Sequence, residues 1–455
     1  MTIKEKLIPD KKVCILGLGY VGLTLAVTLC EIGYEVFGVE INEKNLRKLK
    51  QGKAHFLETG LDGRLSSVVK SKKLKLFKNI HQKFGVSVYI VTVGTPINQY
   101  DQVNRLMMKN VCEEISRFLK KGDLIILRST VEVGTTEKMK NEVFDKSHKD
   151  YEIAFCPERT IEGKAMIELR NLPQIVGSND PKTTNRVSQF FSLMTPTVVR
   201  VSSLETAELI KLIDNCQRDV NFALSNEIAE ISDKLGVSAF EVINSGKLGY
   251  SRTNLPIPGP VGGPCLEKDS YILDSCLGKE NYSPKIIMSS RLINKNQPKK
   301  SIKILKHFCE QYFTSERIHI TLAGMAFKGD PETNDLRGTM ASPIIKEVLR
   351  NFKNCTINLF DPIVTEKELK DHFKNLKFEY SDSIKKAFSQ CSLFIICNNH
   401  PLFANIPITS LSEIMKKPGV IFDYWNNFSN QQINFPEKIK YVGLGELGKA
   451  IKEIK

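Results

Sequence analysis

A cysteine with neighbours that could activate it stands in the segment GGPCLEKD, residues 262–269. The two glycines before Cys265 would let a substrate come close to its thiol. The cation of Lys268 favours the thiolate, which is the nucleophilic form, and Asp269 could orient or activate a water or a lysine. Most cysteines are small buried residues without a chemical role, so this segment alone leaves both interpretations open.

The glycine-rich segment GLGYVG, residues 17–22, lies between a predicted strand and a predicted helix. Gly17 allows the tight turn, Gly19 lets the backbone approach a pyrophosphate, and Gly22 lets the helix pack closely on the strand. The pyrophosphate would lie at the helix N-terminus, where unpaired N–H groups favour an anion. Glu40 ends the next strand, and a carboxylate there accepts the ribose hydroxyls and repels a 2′-phosphate. The segment therefore predicts an NAD site rather than an NADP site; a buried strand–turn–helix without cofactor is the alternative.

Seven motifs follow one another along the chain: GLGYVG at 17–22, VTVGTP at 91–96, RSTVEVGT at 128–135, CPERTIEGKA at 156–165, KLIDN at 211–215, GGPCLEKD at 262–269 and AFKGDPETNDLRG at 326–338. In types and order these motifs resemble the UDP-glucose/GDP-mannose dehydrogenases, which are nucleotide-sugar 6-dehydrogenases. The resemblance extends from Val13 to about Leu447. It implies an NAD-dependent enzyme that oxidises the C6 alcohol of a nucleotide sugar twice, to the uronic acid.

The resemblance also implies roles for individual residues. Cys265 resembles the nucleophile, and Lys211 resembles the lysine that stabilises developing oxyanion charge. Asn215 follows Lys211 by four residues on a predicted helix, so that both side chains can face one substrate. Asp269 resembles the carboxylate that cooperates with Lys211 and a water.

Three residues of the first half complete the catalytic and cofactor sets. Glu162, in the PERTIEG loop, resembles the residue that assists hydrolysis, and Glu158 is a neighbouring candidate. Thr130 resembles the threonine that contacts the reaction site and the cofactor. The expected cofactor-binding residues are Gly17, Gly19, Tyr20, Val21, Gly22, Glu40, Thr95, Thr130 and Lys268.

Cations of the second half resemble the family's substrate contacts. Lys328 and Arg337 resemble cations that contact the nucleotide or sugar, and Arg252 resembles an arginine that reaches the active site of a partner subunit. The expected substrate-binding residues are Glu158, Lys211, Asn215, Arg252, Gly262, Lys328 and Arg337.

The implied mechanism proceeds through a covalent intermediate on Cys265. Oxidation of an alcohol to an acid removes two hydrides, so that two NAD bind in turn. The first oxidation gives an aldehyde, which the thiol attacks to form a thiohemiacetal. The second gives a thioester, which is hydrolysed by a water that Asp269 or Glu162 positions. Binding energy from the distant UDP portion would position C6.

Two departures from the glucose-oxidising pattern bear on the substrate. The loop reads PERTIEG, and the cysteine segment reads GGPCL where GG-S-C-F would be expected. Both resemble the branch that acts on UDP-N-acetylhexosamines (UDP-ManNAc or UDP-GlcNAc), for the synthesis of cell-surface polysaccharide precursors. UDP-glucose and GDP-mannose are the alternatives. A rival within redox chemistry is a β-hydroxyacid dehydrogenase, which needs neither the cysteine nor a second α/β domain. A rival from another class is a non-catalytic nucleotide-sugar-binding or regulatory protein.

The composition is that of a globular protein. Of 455 residues, 41% are hydrophobic and 25% charged, which speaks against a disordered or fibrous chain. The net charge of +14 comes mostly from scattered lysines, which indicates a well-solvated surface or a field that attracts polyanionic small ligands. No basic run is interleaved with aromatic residues and no zinc-finger spacing occurs, so nucleic acid is not a predicted partner. The eleven cysteines include no C-x-x-C pair, so neither a metal site nor a disulfide framework is predicted.

The amino-terminal region predicts a cytoplasmic enzyme without a membrane anchor. The start, MTIKEKLIPDKK, has no apolar core of the kind a secretory signal needs. Val13–Cys30 carries no charge and has the length of a membrane span, but its three glycines favour a strand, a turn and a buried helix.

The elements that must position these residues form two α/β regions around a helical one. Apolar, β-branched runs predict strands at 12–16, 35–39, 86–91, 123–127, 151–155, 174–177 and 197–201, and again at 318–322, 356–360, 393–397 and 419–422. Helical periodicity from about Ser203 to Val242, with no proline or internal glycine in the segment 202–236, predicts a helix of roughly 30 residues, suited to join domains or to form a dimer interface. We expect an α/β fold with two Rossmann-like parallel-sheet domains joined by a long central helix, in a homodimer or larger homo-oligomer. The predicted domains are 1–202 (NAD-binding), 203–306 (central, helical, with the cysteine loop) and 307–455 (UDP-sugar-binding).

Overall fold

The computed structural model describes residues 11–95, 104–147, 150–313, 317–429, 431 and 433–454. The predicted absence of a leader rests on residues 1–10, which lie outside the described residues. Pro96, the last residue of the VTVGTP motif, also lies outside them. The chain divides into two compact units, Met1–Asn215 with Lys268–Ser283, and Cys216–Glu267 with Pro284–Lys455. The division into three domains stays a prediction.

The first unit contains an eight-stranded sheet. Its strands are β1 (Lys12–Leu16), β2 (Glu35–Val39), β3 (Leu74–Phe77), β4 (Val88–Val91), β5 (Asp123–Leu127), β6 (Tyr151–Phe155), β7 (Gln174–Gly177) and β8 (Val198–Val201). The strand order is β3-β2-β1-β4-β5-β6-β7-β8, and every pairing is parallel except that of β6 with β7. The first six strands have the order of a dinucleotide-binding fold, in which the ligand lies where the order reverses, between β1 and β4.

Helices cover this sheet on both faces. They are α1 (Tyr20–Ile32), α2 (Glu43–Lys50), α3 (Leu61–Lys70), α4 (Leu106–Ser116), α5 (Thr135–Met139), α6 (Ala165–Asn171) and α7 (Pro181–Ser192), with short 3-10 or π turns at Gln82–Phe84, Lys140–Phe144 and Asp145–Ser147. In β1, Val13 and Ile15 enter one apolar cluster while Cys14 and Leu16 enter another. Because successive strand residues point to opposite faces, both faces of the sheet are buried.

One long helix follows this sheet, as the sequence predicts. Helix α8 (Leu204–Leu235) has 32 residues and ends before Gly236, whose φ of +67° favours glycine. The predicted pattern continued to Val242, but Ser238 caps a separate helix, α9 (Ala239–Lys247). Three helices complete the middle of the chain: α10 (Gly263–Leu266), α11 (Asp269–Leu277) and α12 (Lys285–Cys309), with a 3-10 turn at Gly278–Glu280.

The second unit contains a six-stranded, wholly parallel sheet. Its elements are β9 (Ile318–Ala323), α13 (Ala341–Asn351), β10 (Cys355–Phe360), α14 (Glu366–His372), β11 (Glu379–Tyr380), α15 (Ile384–Phe388), β12 (Leu393–Ile396), α16 (Pro401–Ala404), α17 (Ile408–Glu413), β13 (Gly419–Asp423), β14 (Ile439–Gly443) and α18 (Leu447–Ile454). The order β11-β10-β9-β12-β13-β14 repeats the topology of the first six strands of the other sheet. Two Rossmann-like sheets are therefore confirmed.

Three strands were not predicted: Leu74–Phe77, Glu379–Tyr380 and Ile439–Gly443. Two strands begin later than predicted: β4 at Val88 rather than Val86, and β8 at Val198 rather than Thr197. The uncharged stretch Val13–Cys30 forms β1, a turn and most of α1, as expected. Among the described residues, no helix has the length and apolar character needed to cross a membrane.

Candidate active site

The glycine turn after β1 has the close packing that its motif predicts. Gly17 has φ +90°, and its N–H donates to the Val39 carbonyl over 2.9 Å. A Cβ on Gly22 would lie 1.9 Å from the Gly17 carbonyl oxygen, so only glycine lets α1 begin this close to the strand. A Cβ on Gly19 would meet no protein atom within 4 Å, which leaves that side of the turn open to a ligand.

Glu40 lies at the end of β2 beside this turn. Its side chain is 8% exposed, and its two carboxylate oxygens accept from the backbone N–H of Leu18 (3.2 Å) and of Asn42 (2.8 Å). These bonds hold the carboxylate at the place where the ribose of a dinucleotide lies in this fold. Tyr20, next to Val21 in the first turn of α1, stacks on Phe56 with ring centroids 3.9 Å apart. The open turn, the helix N-terminus and the fixed carboxylate fit NAD.

Five predicted residues form one chain of contacts in the first unit. The Asn215 amide on α8 donates to Asp269 Oδ2 over 2.5 Å, and Lys268 Nζ lies 3.1 Å from Asp269 Oδ1. Lys268 Nζ also lies 3.5 Å from Thr95 Oγ1, which donates to the Thr130 carbonyl over 2.5 Å. Asp269 is 1% exposed. Residues 54 positions apart in the sequence thus meet at one buried carboxylate.

Glu158 is held within the protein. Its Oε2 accepts from Arg128 Nη2 over 2.5 Å, and its Oε1 accepts from the backbone N–H groups of Arg159 and Thr160, each over 2.8 Å. Burial alone would raise the pKa of Glu158, but the charges of Arg128 and Lys211 and the bond from Thr160 hold that pKa below its ordinary value. Glu158 therefore orders the start of the PERTIEG loop, and its predicted contact with substrate stays a prediction.

Glu162 is half-buried in the same loop. The loop is fixed on both sides of it, because the Ile161 N–H donates to Glu168 Oε2 and the Gly163 N–H donates to Glu58 Oε2, each over 2.7 Å. Neither Glu58 nor Arg128 was predicted as a site residue. Arg128 opens the RSTVEVGT motif, which is the one sequence signal that could have marked it.

Glu208 is a further buried residue that the sequence analysis missed. It lies on α8 one turn before Lys211 and is fully buried. Its carboxylate accepts from the N–H groups of Gly134 (2.6 Å) and Thr136 (2.8 Å) and from the Thr136 hydroxyl (2.6 Å). It therefore fastens the end of the RSTVEVGT motif to the helix that carries Lys211 and Asn215.

The second unit holds the cysteine loop. Cys265 lies in α10 and is exposed. Gly263 has φ +89°, and its N–H donates to the Gly338 carbonyl over 2.7 Å. A Cβ on Gly262 would lie 2.4 Å from the same carbonyl oxygen. The structure thus joins the GGPC segment to the 326–338 motif, as small residues on both sides permit.

The predicted cations of this unit lie beside aromatic or acidic partners. Lys328 Nζ is 5.5 Å from the centroid of the Phe327 ring, and the Arg252 guanidinium is 5.5 Å from that of Tyr250. Arg337 pairs with Asp335 at 2.6 Å. Their contacts with a substrate or a partner subunit stay predictions.

The described part of the chain includes all eleven cysteines, and none of them is joined in a disulfide. Over the same residues, no group of three or more His, Cys, Asp or Glu side chains could hold a metal ion.

Comparison with known proteins gives consistent matches along the chain. Three models of the UDP-glucose/GDP-mannose dehydrogenase family match: its NAD binding domain at residues 11–195, its central domain at 205–296 and its UDP binding domain at 321–430. The UDP-N-acetyl-D-mannosamine dehydrogenase of Pyrococcus horikoshii is 30% identical over 93% of this chain and 97% of its own. The UDP-N-acetyl-D-glucosamine 6-dehydrogenase of Pseudomonas aeruginosa is 30% identical over 79% of this chain and 84% of its own. The solved UDP-N-acetyl-mannosamine dehydrogenase of Staphylococcus aureus superposes with a TM-score of 0.81 at 27% identity, over 98% of this chain and all of that one.

Proposed function

Because the chain belongs to the UDP-glucose/GDP-mannose dehydrogenase family, and is therefore an NAD-dependent nucleotide-sugar 6-dehydrogenase, we propose that its substrate is a UDP-N-acetylhexosamine. UDP-ManNAc and UDP-GlcNAc are the two candidates, since relatives named for each align with most of the chain. The PERTIEG and GGPCL segments favour the same branch. UDP-glucose and GDP-mannose remain the alternatives that an assay must compare.

The observation that carries the proposed chemistry is the contact between Asn215 and Asp269. It ties the helix that bears Lys211 to the first residue of α11, four residues after Cys265 in the chain. Asn215 donates to Asp269 Oδ2, and the charged Nζ of Lys268 lies 3.1 Å from Oδ1, so that the carboxylate is fixed where it could accept a proton from a water. Lys211 supplies the cation for developing oxyanion charge.

In the proposed reaction the thiolate of Cys265 adds to the C6 aldehyde that the first oxidation produces, and the carbonyl oxygen becomes the thiohemiacetal oxygen. NAD held at the glycine turn of residues 17–22 would supply the hydride acceptor for each oxidation. The second oxidation leaves a thioester on Cys265. A water positioned by Asp269 or Glu162 then adds to the carbonyl and releases the acid and the thiol. The aldehyde stays bound to the protein between the two oxidations.

Other predicted residues enter the same proposal. Lys328 and Arg337 would neutralise the diphosphate or contact the sugar, and Arg252 would reach the active site of a partner subunit. The protein would accordingly be a homodimer or a larger homo-oligomer. The cytoplasmic location predicted from the sequence stays part of this proposal.

The test is the yield of NADH per mole of sugar with UDP-GlcNAc, UDP-ManNAc, UDP-glucose and GDP-mannose, each supplied in limiting amount to the full-length protein. We expect two NADH, with the highest kcat/KM for one of the N-acetylhexosamines. Cys265→Ala should form no acid, whereas Cys355→Ala, a half-buried cysteine of the same unit, should behave as the parent.

Other outcomes separate the alternatives. Two NADH from Cys265→Ala at nearly the parental rate would exclude the covalent mechanism. A yield of one from the parent would indicate a simple alcohol dehydrogenase, and none would indicate a binding protein.

A further inference from the structure

A buried arginine of the second unit contacts both ends of the segment that contains Cys265. Arg291, on α12, is 3% exposed. Its Nη1 donates to the Leu266 carbonyl over 2.9 Å, and its Nη2 donates to the Val261 carbonyl over 3.3 Å. One rigid guanidinium therefore fixes the distance between the two ends of residues 261–266.

The guanidinium is itself held by a buried carboxylate. Arg291 Nη1 also donates to Asp219 Oδ1 over 3.0 Å, and Asp219 is 1% exposed. The Asn294 amide, fully buried, donates to the Asp219 carbonyl and to Asp219 Oδ1, each over 2.8 Å. Asp219 lies on α8, four residues and about one turn after Asn215.

A second amide holds the chain just before this segment. Asn226, on α8 and 5% exposed, exchanges two hydrogen bonds with the backbone of Gly259, both over 3.0 Å. Its amide also donates to Asn294 Oδ1 over 2.9 Å. One connected hydrogen-bond network thus links α8, α12 and the cysteine loop. We call it the Arg291 cluster; its members are Asp219, Asn226, Arg291 and Asn294.

We infer that the Arg291 cluster positions Cys265 for reaction, and that Arg291 is its central positioning residue. The cluster contacts the loop through the backbone of Gly259, Val261 and Leu266, and leaves the thiol exposed. The inference rests on the proposed function of Cys265 as nucleophile.

Physical chemistry favours this interpretation over simple stabilisation of the fold. Burying an ion pair contributes little net stability, because desolvation offsets the attraction, so such a pair is weak evidence for a stabilising role. A guanidinium places its donors in a fixed plane, which suits three acceptors at set positions, whereas an ammonium does not. An error of about 1 Å in the position of a reacting atom costs on the order of a hundredfold in rate.

The test compares Arg291→Lys with the parent and with Lys299→Met, which removes a cation from an exposed position of the same helix. Arg291→Lys keeps the charge but loses the planar fork. We expect kcat for acid formation to fall about tenfold or more while KM for the sugar changes less than about threefold. NADH per sugar should fall from two towards one, because the first oxidation does not need the thiol and unbound aldehyde escapes.

Hydrogen exchange followed by mass spectrometry supplies a readout that does not depend on the reaction. Peptides within 259–266 should exchange faster in Arg291→Lys, with the two sheets unchanged. Asn226→Ala should have the same local effect and serves as the deciding variant if Arg291→Lys fails to fold. Parental exchange in 259–266 together with the parental NADH ratio, in whichever of these variants folds, would overturn the inference. Failure of the proposed function appears separately, as acid formation by Cys265→Ala.

Discussion

Glu158 and Glu208 are two buried carboxylates of the first unit with opposite electrostatic surroundings. At Glu158 the cost of burial is outweighed by Arg128, Lys211 and a backbone N–H, and the carboxylate stays ionised. At Glu208 burial raises the pKa to about 7, although bonds from Thr136 and Gly134 oppose the shift. The difference is the cation: Glu158 has a guanidinium at 2.5 Å, whereas Glu208 is bound by uncharged donors.

The raised pKa of Glu208 predicts a pH-dependent stability. The folded state holds the proton more tightly than the unfolded state, so the stabilisation is fully present below about pH 4.5 and is lost as the pH rises through 7. A shift of this size corresponds to about 3 kcal/mol. Glu208→Gln cannot titrate, so its melting temperature should gain about 2–5 °C on that of the parent between pH 5 and 8.

Thermal melts of the parent, Glu208→Gln and Glu227→Gln across that pH range check this prediction. Glu227 is exposed on the same helix and receives the same chemical change. If instead the parent gained on Glu208→Gln as the pH rose, the donors at Gly134 and Thr136 would be holding the carboxylate ionised, and the predicted sign would be wrong.

Two glycines in the turn between β1 and α1 should respond differently to substitution. A methyl group at Gly22 would disturb folding, whereas one at Gly19 would disturb only the binding of the cofactor. A Cβ at Gly22 overlaps the Gly17 carbonyl, so Gly22→Ala should displace the start of α1 and lower both the melting temperature and the affinity for NAD. A Cβ at Gly19 meets no protein atom, so Gly19→Ala should melt like the parent. It should nevertheless bind NAD at least about tenfold more weakly, because the added methyl occupies the side from which the pyrophosphate approaches the backbone.

Calorimetric titration with NAD, paired with thermal melts, distinguishes the two effects. Parental NAD affinity in a well-folded Gly19→Ala would contradict the assignment of this turn as the pyrophosphate site.

Strands in the middle of both sheets could be predicted from sequence, and strands at the edges mostly could not. Central strands such as β4 and β5 are continuous apolar runs because both of their faces are buried. The missed strands β3, β11 and β14 are all at sheet edges. Lys75 and Lys440 interrupt two of them, as charged side chains commonly do on exposed edges, and β11 has only two residues.

The same limit applies to the site. Glycines at fixed spacing predicted the cofactor turn, and a cysteine next to charged residues predicted the cysteine loop. The buried residues Glu208, Arg128 and Arg291 were missed, because a charged residue predicts a solvated surface unless its partner is known. Asp219 offered a signal, since it continues the spacing of Lys211 and Asn215 along α8 by one more turn.

Across the whole molecule the same turn is built twice with different carboxylates. The Gly324 N–H donates to the Phe360 carbonyl over 2.9 Å, as that of Gly17 does to Val39. Asp361, at the end of β10, accepts from the N–H groups of Met325 (2.5 Å) and Ala326 (3.1 Å). Asp361 therefore accepts from the N–H groups of both residues that follow its glycine. Of the two residues that follow Gly17, only Leu18 donates to Glu40. The first sheet thus keeps more donors for a pyrophosphate, in agreement with the NAD and UDP binding domains matched in the two halves.

Helix α8 presents an exposed apolar stripe that a second copy of the chain would cover. Leu209, Ile213, Leu224, Ile231 and Leu235 are each 40–62% exposed and, at 100° per residue, fall within about 80° of one another around the helix. An exposed stripe of this length is unusual for a monomer.

We therefore predict that the parent sediments at twice the 51.4 kDa chain mass or above. The double variant Leu224→Glu with Ile231→Glu should sediment closer to the mass of the monomer, because buried carboxylates would face each other across the contact. Arg218 is exposed on the opposite side of α8, so Arg218→Glu should sediment as the parent does. A parent that sediments as a monomer at micromolar concentration would refute this interface and, with it, the proposed role of Arg252 in a partner's site.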